Sequence, residues 1–369
     1  MKINKPVTYS QSGVNYQSLD PAKKLAQLEA LKTSRNLRKN GFKEISDTRG
    51  ESAFVWKQKN ILMASVIEGL GTKNLVADII TQITKKNYYD VIGHDTVATI
   101  INDLISVGAK PLTINAYWAV GQSDWFKNNK RINNLVKGWR DACNLSDVTW
   151  GGGETPTLKE IVNEESIDLG GSAIGIILSQ KNLITDKKLK IGDRILLLKS
   201  NGINANGLSL AREIAKNLPN GYATKLASGK LYGEALLTKT NIYAKLLKDL
   251  QLNKIDIHYV ANITGHGLRK IMRARQNFTY IIEKIFDPQE VFLFIQKHAN
   301  LSDYEMYQTF NMGMDYALFI SKKDIGKAQR IIRKHKFQSL DAGYLKKGKK
   351  QVVIEPKNIV FKGKTLDLR

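Results

Sequence analysis

The segment EGLGTK places Glu68, Gly69, Gly71, Thr72 and Lys73 directly after the apolar run ILMASVI. Glycine leaves room for a ligand oxygen beside the backbone and lysine brings a point charge, so the loop suits an anion such as phosphate. An ordinary strand-to-helix turn has the same composition, and the Walker pattern of GxxxxGK followed by Ser or Thr is absent. Two further constellations carry carboxylates. In HDTVATIINDLISVGAKP, Asp95, Asn102 and Asp103 lie on or just before a helix whose apolar face is Val97, Ile100, Ile101, Leu104 and Ile105. Burying Asp103 among such neighbours costs several kcal/mol unless it meets a cation or donors. A solvated helix face would account for one of these acids but not for both. In VTWGGGETPTL, Gly152 and Gly153 precede Glu154 and Thr155 on a backbone that can come close to a ligand. Magnesium on nucleotide phosphates takes a few carboxylate oxygens and completes its shell with water, and Glu68, Asp95, Asp103 and Glu154 are the expected ligands.

These residues need elements to hold them. Asp20 and Pro21 read as an N-cap and first-turn proline for a helix with Leu25, Leu28 and Leu31 at helical spacing. Ser52 to Trp56 and Ile61 to Val66 read as strands joined by a turn at Lys57 to Asn60. The segment LTINAYWAV reads as a buried strand, Asn129 to Cys143 as an amphipathic helix, and DLGGSAIGIIL from Asp168 as a strand of small residues. A domain boundary is expected near residue 180, giving 1–180 and 181–369. Beyond it, SNGINANGLSLAREI is a loop opening a helix whose N-terminus could hold an anionic group. HYVANITGHGLRKIM and MYQTFNMGMDYALFI each join an apolar segment to a small-residue turn, and QVVIEP reads as a strand.

At 369 residues the chain suits two domains, and 42% apolar with 25% charged residues is the composition of a soluble globular protein. No apolar run reaches the roughly 18 residues that span a bilayer, and MKINKPVTYSQS lacks an apolar signal core, so a cytoplasmic protein is expected. The single cysteine, Cys143, excludes an internal disulfide framework and reads as a packing residue. The 57 Lys and Arg against 34 Asp and Glu leave +23, but the excess is scattered and lacks aromatic interleaving. A solvated lysine-rich surface that draws in anionic small substrates accounts for it better than a nucleic-acid binder does.

The order of motifs resembles the aminoimidazole ribonucleotide synthetases, or phosphoribosylformylglycinamidine cyclo-ligases, over nearly the whole chain. YSQSGVNY is similar to that family's Tyr-x-x-x-Gly-Val start and EGLGTK to its Asp-Gly-Val-Gly-Thr-Lys. The Asn-Asp-Leu helix with Gly-Ala-x-Pro, GGET, GDRILLLKSNG, NANGLSL, ITGHGL and EMYQTFNMGM follow in the family's order. The resemblance implies an α+β fold of two domains and a homodimer whose N-terminal halves pair strands. The strand Ile61 to Val66, read as a sheet edge that needs cover, points the same way. It also implies ATP and Mg2+ as cofactors and a small ribonucleotide as substrate. In the implied reaction the formyl amide oxygen of formylglycinamidine ribonucleotide is phosphorylated, and the amidine nitrogen then displaces phosphate to close an imidazole in purine biosynthesis.

By the same resemblance Lys73 contacts phosphate and Asp103 joins it in catalysis. Glu68, Gly69, Gly71, Thr72, Asn102, Gly152, Gly153, Glu154 and Thr155 hold nucleotide, and Asn204, Asn206, Gly207 and Ser209 hold the substrate's phosphate end. The chain departs from the family at Glu68, where the family has Asp, and at Asn204 and Asn262, where it has histidines. Asparagine cannot take up a proton near neutral pH, which makes His266, in the turn TGHG, the nearest candidate for a lost general acid. The alternative is that the asparagines only hydrogen-bond substrate and His266 lies on the surface. A paralogue phosphorylating another small amide or phosphate substrate, as a thiamine phosphate kinase does, is the second functional expectation.

Overall fold

The structure is a computed structural model that describes Gly13 and residues 16–366; of the YSQSGVNY motif, Tyr9, Ser12 and Val14 lie outside the described residues. The first half runs α1 (Tyr16–Lys32), α2 (Arg35–Lys39), β1 (Lys43–Glu44), β2 (Phe54–Gln58), β3 (Ile61–Gly69), α3 (Lys73–Thr84) and α4 (Tyr89–Ile105). It continues through β4 (Lys110–Val120), α5 (Asn129–Leu145), β5 (Thr149–Glu154) and β6 (Ile167–Ile177). The second half follows as β7 (Arg194–Lys199), α6 (Leu208–Asn217), α7 (Tyr232–Leu236), α8 (Ala244–Leu252), β8 (Ile257–Asn262) and β9 (Phe278–Ile282). Then come α9 (Glu290–Ala299), α10 (Asp303–Thr309), β10 (Met314–Ile320), α11 (Ile325–Lys334), β11 (Ser339–Lys347), β12 (Gln351–Ile354) and β13 (Ile359–Lys362).

Each half builds one sheet. The first is ordered β1-β2-β3-β6-β4-β5 and the second β13-β12-β9-β11-β7-β10-β8. Most neighbours are antiparallel; β4 with β5 and β12 with β9 are parallel. Alternation sets the faces of β3: Leu62, Ala64 and Val66 are buried, whereas Ile67 is 78% exposed. Glu68 shares the parity of the buried set and so points to the side where α4 packs. Strand β3 pairs with both β2 and β6, so Ile61 to Val66 is not the sheet edge that its sequence suggested. The edges are β1 and β5.

Helix α4 is buried almost all round, which decides the question its sequence left open. Its apolar side packs on the sheet, and α5 crosses it so closely that a Cβ on Gly93 would lie 2.4 Å from the Leu135 carbonyl oxygen. Its polar residues His94, Asp95, Asn102 and Asp103 are all buried and meet the second half of the chain; neither aspartate is solvated. Asn102 donates to the Asn241 carbonyl (2.8 Å) and accepts from the Tyr243 N–H (3.1 Å), and His94 Nε2 bonds the Thr240 carbonyl (2.9 Å). Arg275 adds a second tie between the halves through one bond to Asp47 (3.0 Å), while two bonds to buried Asp186 of its own half (2.8 and 2.7 Å) hold the guanidinium in place.

Helix α1 starts a turn earlier than its Asp-Pro signal indicates, so Asp20 and Pro21 lie inside it. Leu25, Leu28 and Leu31 do mark one stripe, but at 62%, 62% and 50% exposure that stripe is not core. Cys143 is buried, and burial pushes its thiol up to about 12, which suits packing and not nucleophilic work. No helix among the described residues is long and apolar enough to cross a membrane.

Candidate active site

A cleft of about 280 Å³ opens where the two halves meet, floored by Glu68 and Asp103 and walled by Thr264, Gly265, His266, Lys270 and Arg273. Helix α1 and the loop before β2 close it with Asp20, Lys23, Lys24, Gln27, Gly50, Glu51 and Ser52. Glu68 arrives at the end of β3 and Asp103 from the last turns of α4. Burial raises the Glu68 carboxyl to about 7, and the neighbouring Asp103 charge adds to the rise while Lys270 and Arg273 oppose it. Two like charges in a half-dry cleft are costly unless a cation arrives.

Asn262, at the end of β8, donates its amide to Asp103 Oδ1 at 2.7 Å. Asn204 in turn donates to Asp315 Oδ2 at 2.9 Å, while Tyr243 donates to Asp315 Oδ1 at 2.6 Å. Burial raises Asp315 to about 6 even so. Both asparagines that stand at the family's histidine positions thus bond buried aspartates, and as donors they fix acceptors in place. His266 is not on the surface. It is 5% exposed, with Nε2 3.8 Å from Asp20, and burial followed by Lys270, Arg269, Lys23 and Arg273 pulls its imidazole down to about 2. It stays neutral at any working pH. His266→Asn is therefore expected to leave the shape of the pH–rate profile unchanged between pH 5.5 and 9; loss of a limb near 6.5 in that variant would overturn this placement.

Of the other residues read from the sequence, Lys73 takes a different place. It is fully buried at the start of α3, and its ammonium donates to Asp95 Oδ2 (2.5 Å) and to the carbonyls of Asn204 (2.9 Å) and Thr238 (3.0 Å). The other Asp95 oxygen accepts from Thr240 N–H at 2.9 Å. Asp95 therefore belongs to this pair and not to the Glu68–Asp103 cluster. Gly152, Gly153, Glu154 and Thr155 are exposed on and just after the edge strand β5. Glu68 pairs with Gly171, Gly171 with Ala116 and Ala116 with Gly153, so three strand spacings, roughly 14 Å, separate Glu68 from Gly153, the residue before Glu154. Among the described residues, no three or more His, Cys, Asp or Glu side chains could hold a metal together. The four expected carboxylates thus sort into one facing pair, one ion pair and one exposed residue.

Gly69, Gly71 and Thr72 border the loop between Glu68 and Lys73, with Gly69 and Gly71 exposed. Gly207 begins α6 at φ +77°, where a Cβ would lie 2.2 Å from the Phe310 ring, so no larger residue fits. Asn206 and Ser209 flank it, half-buried. Sequence reading missed Lys270, Arg273 and Glu51. Arg273 staples the 50–52 loop, donating to Ser52 Oγ (3.0 Å) and the Gly50 carbonyl (2.7 Å). The only signal for Lys270 and Arg273 was LRKIMRAR, whose charges resemble an exposed turn.

The chain matches the AIR synthase related protein N-terminal domain over residues 50–177 and the corresponding C-terminal domain over 190–355. It is 34% identical over 270 residues, 73% of each chain, to the phosphoribosylformylglycinamidine cyclo-ligase of Methanocaldococcus jannaschii. The chain belongs to the phosphoribosylformylglycinamidine cyclo-ligase family. The cyclo-ligase of Methanococcoides burtonii is 32% identical over 333 residues, 89% of this chain and 92% of that one. Members of this family are carbon–nitrogen ligases, and this cyclo-ligase relative is an enzyme of that class. Solved structures share its fold. Thiamine-monophosphate kinase from Stenotrophomonas maltophilia aligns with TM-score 0.57 at 14% identity, covering 82% of this chain and 88% of that one. The hydrogenase maturation protein HypE in complex with ATP aligns at 0.54 and 16%, covering 71% and 75%. At such identities the likeness is one of fold.

Proposed function

We propose that this cyclo-ligase family member closes the imidazole ring of aminoimidazole ribonucleotide from formylglycinamidine ribonucleotide and ATP, as a step of purine biosynthesis. The supporting observation is the cleft in which Glu68 and Asp103 from one half face Lys270 and His266 from the other, in a chain that matches one cyclo-ligase relative over 92% of that relative's length. The γ-phosphoryl group passes from ATP to the formyl amide oxygen and ADP leaves. The amidine nitrogen then bonds to the formyl carbon as the carbon–oxygen bond breaks, releasing phosphate and one proton. Phosphoryl transfer asks chiefly for positioning and charge neutralisation.

The residues divide that work. Glu68 and Asp103 would hold Mg2+, and two carboxylates are what this ion takes beside phosphate oxygens and water. The ion supplies positive charge to the phosphate oxygens. Asn262 keeps Asp103 aimed, and neutral His266 can give or accept one hydrogen bond. The N-terminus of α6 at Gly207, with Asn206 and Ser209, suits the ribonucleotide's phosphate. The test is ADP release from ATP with formylglycinamidine ribonucleotide as substrate and with thiamine phosphate as control. Release with thiamine phosphate alone would replace this reading by the kinase one.

The same proposal takes residues 1–180 and 181–369 as the two domains and a homodimer as the working form. Its support is the sheet face opposite α4, where Ile67 is 78% exposed and Ile174 and Tyr117 are each 38% exposed. A monomer mass in light scattering at micromolar concentration would count against it.

A further inference from the structure

Four buried or nearly buried cationic side chains bear on the choice of a phosphate contact, two lining the cleft (Lys270 and Arg273) and two outside it (Lys73 and Arg269), and three of the four are committed. Lys73 has three N–H donors, and all three are taken by Asp95 and two carbonyls inside the protein. Arg273 is bound to Ser52 and Gly50, with Nε 3.6 Å from Glu51. Arg269 donates to the carbonyls of His266 (3.2 Å), Thr365 (2.6 Å) and Gln308 (3.2 Å). Lys270 differs. It lines the cleft, is 8% exposed, and makes one hydrogen bond, to the Thr264 hydroxyl. No ion pair ties it to Glu68 or Asp103 among the described residues, so two N–H donors of a nearly buried ammonium remain directed by packing alone.

We propose that Lys270, and not Lys73, is the lysine that contacts the transferred phosphoryl group. This rests on the cleft being the ATP site. A phosphate there meets a point charge from the second half of the chain on one side and the carboxylate pair from the first half on the other. The two halves must be docked for both to reach it. Such a cation, fixed in a cleft largely closed to water, strengthens its hold as negative charge gathers on the transferred oxygens. The turn that carries it, Gly267–Met272, is itself buried, which fixes the ammonium's position.

The experiment uses inorganic tripolyphosphate with Mg2+ as the probe, titrated calorimetrically into the wild type and into Lys270→Gln, which keeps a donor for Thr264 but removes the charge. Binding at least tenfold weaker in Lys270→Gln, near-wild-type binding in Lys270→Arg, and thermal midpoints within a few degrees of the parent are expected. Lys270→Ala serves as a second charge-removing variant if the glutamine folds poorly. Equal binding in wild type and Lys270→Gln overturns the proposal while leaving the cleft as the nucleotide site. Absence of tripolyphosphate binding in the wild type overturns both. Weakened binding together with no ring closure by the wild type leaves Lys270 at the phosphate and removes the substrate reading alone.

Discussion

Lys73→Ala should destabilise the protein by about 3–5 kcal/mol, the usual consequence of leaving one member of a buried ion pair without its partner. The pair is Lys73 and Asp95, both fully buried, and its removal also orphans the carbonyls of Asn204 and Thr238. Because those carbonyls belong to the second half of the chain and Lys73 to α3, the loss falls on the docking of the two halves. A fall in thermal midpoint on the order of 10 °C follows for a protein of this size. Lys73→Met combined with Asp95→Leu should recover part of it, since two apolar groups leave no buried charge. A Lys73→Ala protein that melts within 1 °C of the parent while losing ATP turnover would restore Lys73 to the phosphate.

Asp103→Asn should show the opposite pattern. Turnover is expected to fall roughly 10²–10³-fold, the scale of removing one fixed charge from a phosphoryl-transfer site, with the fold intact. The folded protein should in fact gain. Asp103 is the largest charge contribution to the raised Glu68 carboxyl after burial, so neutralising it lets Glu68 move back toward its ordinary 4.5. The sign follows from proton binding. Between 4.5 and about 7 the native wild type holds more protons on Glu68 than the unfolded chain does, so its stability falls as pH rises through that window. Asp103→Asn should flatten that fall, read from urea melts at pH 5 and pH 8 beside steady-state ADP release. Full turnover, or an unchanged pH slope, would remove Asp103 from the site.

The sequence alone determined several of the first half's elements and their order. Alternating and helical periodicities marked β3, α4, α5 and β6, because side-chain parity along a strand and the 3.6-residue turn depend on local geometry. The polar stripe of α4 was legible too, since Asp95, Asn102 and Asp103 fall at helical spacing with apolar residues between them, but the burial of both acids was not. The motif order sufficed to place the chain in its family. Which polar group meets which was not legible. Asp95 and Asp103 are eight residues apart on one helix, about 12 Å along its axis, so one metal ion cannot join them. One carboxylate met Lys73 and the other met Glu68, and only the seating of residues 204, 238 and 240 against α4 decided that division. The same holds for the two lysines. EGLGTK has the composition of a phosphate loop, yet Lys73 turns inward because a buried carboxylate and two carbonyls await it. RKIMR has the composition of a solvated turn, yet Lys270 is covered because α1 and the 50–52 loop, more than 200 residues earlier, close over it. Charge and spacing are local properties of a chain, whereas burial is set by whatever distant segment packs on top, and a lysine's chemistry depends on burial.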